Sequence, residues 1–302
     1  MADDTTARPT LDRGLADPHH LLVLPAEVTA DDLEALAVSR DEDAGWAGPS
    51  QLRVQAGVQL TGPWGLDRAL RSGFDLPAWA DHAYLLLCPV QRGGPLPPEL
   101  RGIDPVLDAF PEGVPHGVES EALGHLRAFA RRLGGAVRLA GSGAVVVPDA
   151  DAAVDLTVLA PVWLDHDVCL QVLTQTLPEV HSLLDDIPDE LARLQVLEGY
   201  AIVAHLGEGD LVEVAVGGLQ QPPVVLRGTP WAHGGVVAYE VRWRPHHPEQ
   251  AFAARPSLGQ RRARARAGAL IERTVLALHA LTGGEISDDD GFLVEPGDLG
   301  RD

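Results

Sequence analysis

The stretch from Pro256 to Pro296 constrains the fold more than any other part of the sequence. It begins with the helix-start signal Pro256-Ser257, continues as a long segment rich in Ala, Leu and Arg, and ends with two glycines and a short apolar run. The same succession occurs earlier, with a helical pattern over 119–134, the pair Gly134-Gly135 and an apolar run after Gly143. Because glycine ends a helix and lets the chain turn away, the pattern predicts a duplicated helix–strand unit.

The elements that precede these units also recur in the same order. A buried strand over 21–24 precedes a helix over 29–38, and a strand over 154–159 precedes a helix over 165–176. Each half therefore reads β-α-β-β-α-β with extra short strands, which is the split βαβ order. We predict an α+β fold of two pseudo-repeated ferredoxin-like halves, with antiparallel sheets and helices on one face.

The predicted chain organisation has two folded halves and two tails. Residues 1–17 are charged and lack periodicity, which predicts a disordered acidic tail. The halves span 18–150 and 151–296, and residues 297–302 form the second tail. Two further segments are an irregular excursion rich in Pro and Gly over 91–118 and a polar, helix-prone insertion over 178–197.

Individual strands are predicted from alternation and from apolar runs. Residues 52–60 alternate with a slip at Ala56-Gly57, which predicts a strand carrying a bulge. The apolar run 84–90 predicts a strand covered on both faces. The clearest strand is 236–244, with the following residues on its helix-covered face: Val237, Tyr239, Val241 and Trp243.

Charge restricts the classes of partner. The chain has 302 residues with 44 acids against 23 basic residues, and all 23 are Arg because no Lys occurs. A GC-rich bacterial genome explains Arg in place of Lys, but it does not explain the net charge of −21. Such a charge disfavours nonspecific binding to nucleic acid or anionic lipid. We predict no nucleic-acid or membrane partner, and an unknown protein partner stays open.

The expected location is the cytoplasm. The only cysteines, Cys88 and Cys169, have no metal-type spacing, which favours a reduced intracellular setting. Residues 1–18 contain no apolar core of a signal peptide. No apolar run approaches the ~20 residues that a membrane span needs.

Several short motifs have both a chemical and a structural interpretation, and the structural one is favoured each time. His246-His247-Pro248-Glu249 and His19-His20 are candidate metal ligands, but neighbouring residues on extended chain point apart, so solvated loops are expected. Asp165-His166-Asp167 is either an acid/base histidine or, as favoured, a first helical turn with stabilising acids. Asp288-Asp289-Asp290 is either a cation site or, as favoured, a solvated turn.

The catalytic motifs that the sequence offers are incomplete. Gly141-Ser142-Gly143 and Gly207-Glu208-Gly209 match only fragments of a phosphate loop, and the absence of Lys excludes a Walker-type loop. No nucleophile elbow, zinc-protease motif or Cys-x-x-Cys occurs. We therefore predict no cofactor and no metal, and the question of catalysis stays open with a leaning against it.

An arginine cluster stands out in this acidic chain. Arg261, Arg262, Arg264 and Arg266 follow one another within six residues, and helical spacing puts Arg262, Arg266 and Arg273 on one side. One interpretation is a site for an anion or an acidic partner. The favoured one is a solvated face neutralised by the protein's own acids. Arg264 falls at the edge of the apolar face, where we expect it to pair with a carboxylate.

The leading functional hypothesis is a non-catalytic cytosolic interaction or regulatory protein built from two related halves. The alternative is a small-molecule-binding protein or enzyme with its site in the groove between the halves, because domain interfaces favour pockets. The residues that would supply its polar and aromatic contacts are Trp231, His233, Glu240, Arg242 and Arg244.

Overall fold

The computed structural model describes residues 8–183, 199–251 and 256–300. The chain divides into two compact units, Met1–Ala150 and Asp151–Asp302. Most of the predicted insertion over 178–197 lies outside the described residues. Within the described part of the chain, no helix combines the length and apolar character that a membrane span requires.

The first unit contains one seven-stranded antiparallel sheet with the strand order β2-β3-β4-β5-β1-β6-β7. Its strands are β1 (Leu21–Leu24), β2 (Gly45–Gly48), β3 (Gln51–Gln55), β4 (Val58–Gly65), β5 (His82–Leu87), β6 (Ala136–Arg138) and β7 (Val145–Val146). Its helices are α1 (Arg13–Ala16), α2 (Ala30–Arg40), α3 (Arg68–Gly73), α4 (Pro105–Asp108) and α5 (Gly117–Arg132).

The second unit contains another seven-stranded antiparallel sheet, with the order β14-β13-β8-β12-β11-β10-β9. Its strands are β8 (Leu156–Ala160), β9 (Val180–Ser182), β10 (Gly199–Gly207), β11 (Asp210–Leu219), β12 (Val236–Arg244), β13 (Glu285–Asp288) and β14 (Leu293–Val294). Its helices are α6 (His166–Thr176), α7 (Pro248–Ala251) and α8 (Leu258–Thr282).

The fold is therefore α+β, and the two sheets have matching strand orders. Numbered within its own unit, each sheet runs 7-6-1-5-4-3-2 from one edge to the other. In each unit a helix follows the first strand, α2 or α6, and a longer helix precedes the sixth strand, α5 or α8. The short strands after Gly143 and Gly291, β7 and β14, both lie at a sheet edge.

The first sheet is covered on both faces, which corrects the prediction of helices on one face only. Leu21, Val23 and Leu85 pack in one core with Ala16 of α1 and Leu70 of α3. The intervening strand residues point to the opposite face and are also buried: Leu22, Leu24, Tyr84 and Leu86. The helices α2 and α5 contact the strands of this sheet. Because the central strands are apolar on both faces, each face needs its own cover.

In the second unit the main core lies between the sheet and the helices α6 and α8. Tyr239 and Trp243 are 0% and 2% exposed and belong to this core, whereas Glu240 and Arg242 on the other face are 36% and 40% exposed. The alternation along β12 therefore predicted the two faces correctly. At one end of the outer face, 3-10 turns at Val224–Leu226 and Pro230–Ala232 pack on Leu159 and Ala238.

The boundaries of α8 follow from its terminal residues. The Ser257 side chain accepts from the Gln260 amide and the Gln260 side chain accepts from the Ser257 amide, which is a capping box. Gly283 has φ +65° and ends the helix, as Gly134 with φ +63° follows α5. A Cβ on Gly284 would lie 2.0 Å from the Leu159 carbonyl oxygen, so only glycine lets β13 pair closely with β8.

Three sequence predictions are corrected by the structure. Residues 8–17 are ordered rather than a tail, because Leu11 is 3% exposed and its amide donates to the Gly65 carbonyl at 2.9 Å. The slip at Ala56-Gly57 is a hairpin turn between β3 and β4, with Gly57 at φ +75°, and the irregularity in strand register lies just before it, between Arg53 and Gln55. Within the second tail, the Gly300 amide donates to Glu272 of α8 at 2.8 Å, so this residue is anchored to the helix.

Candidate functional site

The charged residues predicted as ligand contacts on β12 lie on the sheet face opposite α6 and α8. Arg242 Nη2 is 2.8 Å from Glu240 Oε2, and Arg244 Nε donates to Glu213 Oε2 at 2.7 Å. All four side chains are partly exposed, and such solvated pairs are worth ~0–1 kcal/mol each. Both arginines are thus compensated by carboxylates on the same sheet face.

Trp231 and His233 lie on the chain that precedes β12 rather than on the strand itself. Trp231 is half-buried and packs on the cluster that contains Ala238, while His233 is exposed at the end of its 3-10 turn. Ala238 and Arg242 are four residues apart on an extended strand, about 13 Å. The pair of Arg244 with Glu213 thus lies further along β12 than the position on which Trp231 packs.

A cavity of about 180 Å³ lies at the end of β12 beside the start of α8. Asp210 accepts there from the His246 amide at 2.9 Å and from the Trp243 indole at 3.3 Å, while the Gln260 side chain donates to Gln250 at 3.1 Å. Its polar groups are thus largely bonded to one another. His246 and His247 are exposed, and the described residues contain no His, Cys, Asp and Glu group placed to hold a metal.

His166, predicted as either an acid/base residue or part of a first helical turn with stabilising acids, lies between two polar partners. Its Nε2 is 2.7 Å from Ser182 Oγ and its Nδ1 is 3.1 Å from Asp167 Oδ1. The chain Ser–His–Asp resembles a nucleophile-activating arrangement, but Ser182 is 1% exposed and the Asp167 side chain is 98% exposed. A buried hydroxyl is closed to substrate, and water competes for an exposed carboxylate, so this contact does not define a catalytic site.

The strongest polar cluster is one that the sequence analysis missed. Glu119 of α5 is fully buried and accepts from the Gln91 amide at 2.7 Å, from Arg92 Nη2 at 2.6 Å and from His20 Nε2 at 3.1 Å. His20 was predicted to lie in a solvated loop, but it is only 4% exposed. A usable signal existed, since Glu119 lies four residues before Leu123 and thus on the apolar stripe of its helix.

This cluster is closed rather than catalytic. The Ala140 amide donates to His20 Nδ1 at 3.1 Å, so the ring proton resides on Nε2 and neither nitrogen is free to act as a base. Burial, with the nearby Glu119 charge, raises the pKa of Cys88 to about 11, so this thiol stays protonated at neutral pH. The cluster instead holds the start of the irregular segment 91–118 against α5.

The arginines of α8 separate into three environments. Arg264 is 6% exposed, at the edge of the apolar face as predicted, and Arg273 donates to the Thr176 carbonyl at the end of α6. Arg261, Arg262 and Arg266 are exposed and, among the described residues, bond to no carboxylate or carbonyl. We call these three residues the arginine face. Direct pairing of these three residues with the protein's own acids, which the sequence favoured, is not seen among the described residues.

Comparison with protein-family models, with curated proteins and with solved structures finds no match to this chain. The fold defines an α+β protein with two seven-stranded antiparallel sheets.

Proposed function

We propose that this chain is a non-catalytic cytosolic interaction or regulatory protein, built from two related α+β halves, that engages its partner through the arginine face of α8. The described polar clusters with catalytic composition are closed by internal bonds or buried, as at Glu119 and at His166. Two free cysteines, Cys88 and Cys169, support a reducing compartment.

The relatedness of the halves is supported by their matching strand orders. Within each unit, strands six, one, five and four are neighbours in that order, with a helix after the first strand and another before the sixth. This is the arrangement expected of a split βαβ core with three added strands. Gly135 and Gly284 add further support, because a Cβ at either position would collide with a carbonyl oxygen of the neighbouring strand. The distance would be 2.6 Å from Gly135 to the Val23 oxygen and 2.0 Å from Gly284 to the Leu159 oxygen.

The arginine face is the single observation that carries the functional proposal. The chain has 44 acids, so an exposed arginine has many opportunities to find a carboxylate. Exposed arginines of the described chain that nevertheless have no side-chain partner are Arg53, Arg68, Arg101, Arg261, Arg262 and Arg266. Three of them share one side of one helix within six residues, which leaves a local positive surface open to a partner.

The proposal is tested by comparing partners recovered from lysate of the source organism. The tagged baits are the wild-type chain, the R261Q/R262Q/R266Q variant and the matched control R53Q/R68Q/R101Q, which removes the same number of exposed charges. We expect at least one protein that the wild type and the control retain and the α8 variant loses. Identical recovery with all three baits would show that the arginine face is an ordinary solvated surface.

A further inference from the structure

The arginine face borders a narrow apolar strip on the same side of α8. With 100° of rotation per residue, the strip consists of Leu258, Ala265 and Ala269. Arg261 lies along one edge of this strip, and Arg262 and Arg266 lie along the opposite edge. Leu258 is 57% exposed, and both alanines are exposed. The strip extends over about 16 Å of helix, or three turns. The surface is thus a shallow apolar line with cations on both sides.

The shape of this surface indicates what can cover it. Ala265 and Ala269 project little beyond the backbone, so another chain can approach the helix closely between the long arginine side chains. An apolar side chain of the partner would be buried against Leu258 and the alanines, while its carboxylates would meet the guanidinium groups, which bind carboxylates in a bidentate geometry.

We infer that the occupant is a short acidic polypeptide segment carrying apolar side chains at helical spacing, which lies along Leu258–Ala269 and pairs its carboxylates with the arginine face. This inference rests on the proposed function and names the class of its partner. Charge complementarity supports it, because the segment presents acids only where the surface presents cations.

Two other occupants fit the surface less well. A nucleic acid is uniformly charged along its length, and it would meet three arginines within about 8 Å of helix and then the acidic remainder of a chain of charge −21. A second copy of this chain brings the same charge of −21, so the two copies repel each other as they approach. A segment with a few clustered acids avoids both penalties.

Fluorescence anisotropy with defined probes tests the inference. The probe is a labelled peptide of about three helical turns with Leu at i, i+4 and i+7 spacing and a few Glu residues on the two flanks of the Leu positions. The comparison probes are the same peptide with Leu replaced by Ser, polyglutamate of equal length, and a short DNA duplex. Each is titrated at constant ionic strength with the wild type, R261Q/R262Q/R266Q, Ala269→Glu, and the control R53Q/R68Q/R101Q.

We expect the acidic Leu-containing peptide to bind the wild type and the control within twofold of each other, and each α8 variant at least about tenfold more weakly. Absence of binding at about 1 mM peptide, equal binding of polyglutamate, or tighter binding of DNA overturns the inference. Arginine-dependent dimerisation in sedimentation experiments without a peptide also overturns it. If the lysate experiment succeeds while the peptides fail, the partner class is wrong and the proposed function stands; failure of both experiments rejects both.

Discussion

Removal of the Glu119 carboxylate should destabilise the first unit more than any surface substitution on the same helix. The carboxylate is fully buried and accepts three hydrogen bonds, from the Gln91 amide, Arg92 and His20. Glu119→Ala leaves those three donors without their acceptor. Glu119→Gln keeps the shape but presents an NH2 group to one of the donors and removes the charge that compensates Arg92.

The magnitude follows from the burial of the pair. Breaking a buried ion pair by removing one partner costs ~3–5 kcal/mol, because the remaining charge is left uncompensated. The Arg92 side chain is 28% exposed, so water stabilises part of the orphaned cation and the lower end of that range applies. The matched control is Glu121→Ala on the same helix, since Glu121 is exposed and accepts only from Gln55 at 3.1 Å. The control should cost ~0–1 kcal/mol.

Urea denaturation separates the two outcomes. With a slope of about 2 kcal/mol per molar urea, a loss of ~3 kcal/mol lowers the midpoint by about 1.5 M. Hydrogen exchange localises the effect, and we expect lost protection in peptides that cover the start of α5 and residues 89–94. Equal midpoints for Glu119→Ala and Glu121→Ala, with unchanged slopes, would refute the idea that this buried cluster anchors the excursion to α5.

Three further predictions concern single positions. Burial lowers the pKa of His125 to about 4, so between about pH 6.5 and 4 the unfolded chain binds a proton that the folded chain does not. Wild-type stability in urea should therefore fall as the pH is lowered through this window, and His125→Gln should flatten that dependence. Gly284→Ala should destabilise the second unit by about 3 kcal/mol or more in thermal unfolding, because its Cβ collides with a backbone carbonyl, whereas Gly283→Ala meets no atom and costs only about 1 kcal/mol of φ strain. Arg264→Ala should cost more in urea than Arg262→Ala, because Arg264 is buried and Arg262 is exposed.

Each of these predictions has a contrary result. An unchanged pH profile in His125→Gln would show that this ring is not the titrating group, although its Nδ1 is buried without a hydrogen-bond partner. Equal melting temperatures for the two glycine variants would mean that β8 and β13 can separate without cost. Equal urea midpoints for the two arginine variants would place Arg264 with the solvated residues.

Local patterns predicted the elements of this fold better than its packing. The alternation along β12 identified both faces of the strand, and the Gly-Gly pairs located the ends of α5 and α8, because each signal depends on neighbouring residues. The apolar run 84–90 predicted a strand covered on both faces, but helices on both faces of the sheet were not predicted, because the second layer depends on where residues 66–76 fold back in space.

The candidate site likewise has features that local sequence patterns predicted and features that they did not. Helical periodicity placed Arg264 near the apolar face and the arginine face outside it. The partners of Glu119 were beyond reach, since His20, Arg92 and Glu119 are separated by up to 99 residues and meet only after folding. The separation of Trp231 from Arg242 along β12 depends likewise on how the preceding loop returns to the sheet.

A comparison of the two long helices indicates that the arginine face is not a requirement of the fold. Measured back from the Gly-Gly pair that follows each helix, Gly117 at the start of α5 corresponds to Arg266 of α8. Residues 258–265 therefore extend α8 beyond the length with which α5 packs on a sheet of the same strand order. The inner side of this extension packs through Ala263 and the buried Arg264, but its outer side carries Arg261, Arg262 and the exposed Leu258. Two cations and an exposed leucine add little to the stability of a solvated helix. The outer residues of this extension are consequently the ones whose replacement should change binding while leaving the unfolding midpoint within the range of ordinary surface substitutions.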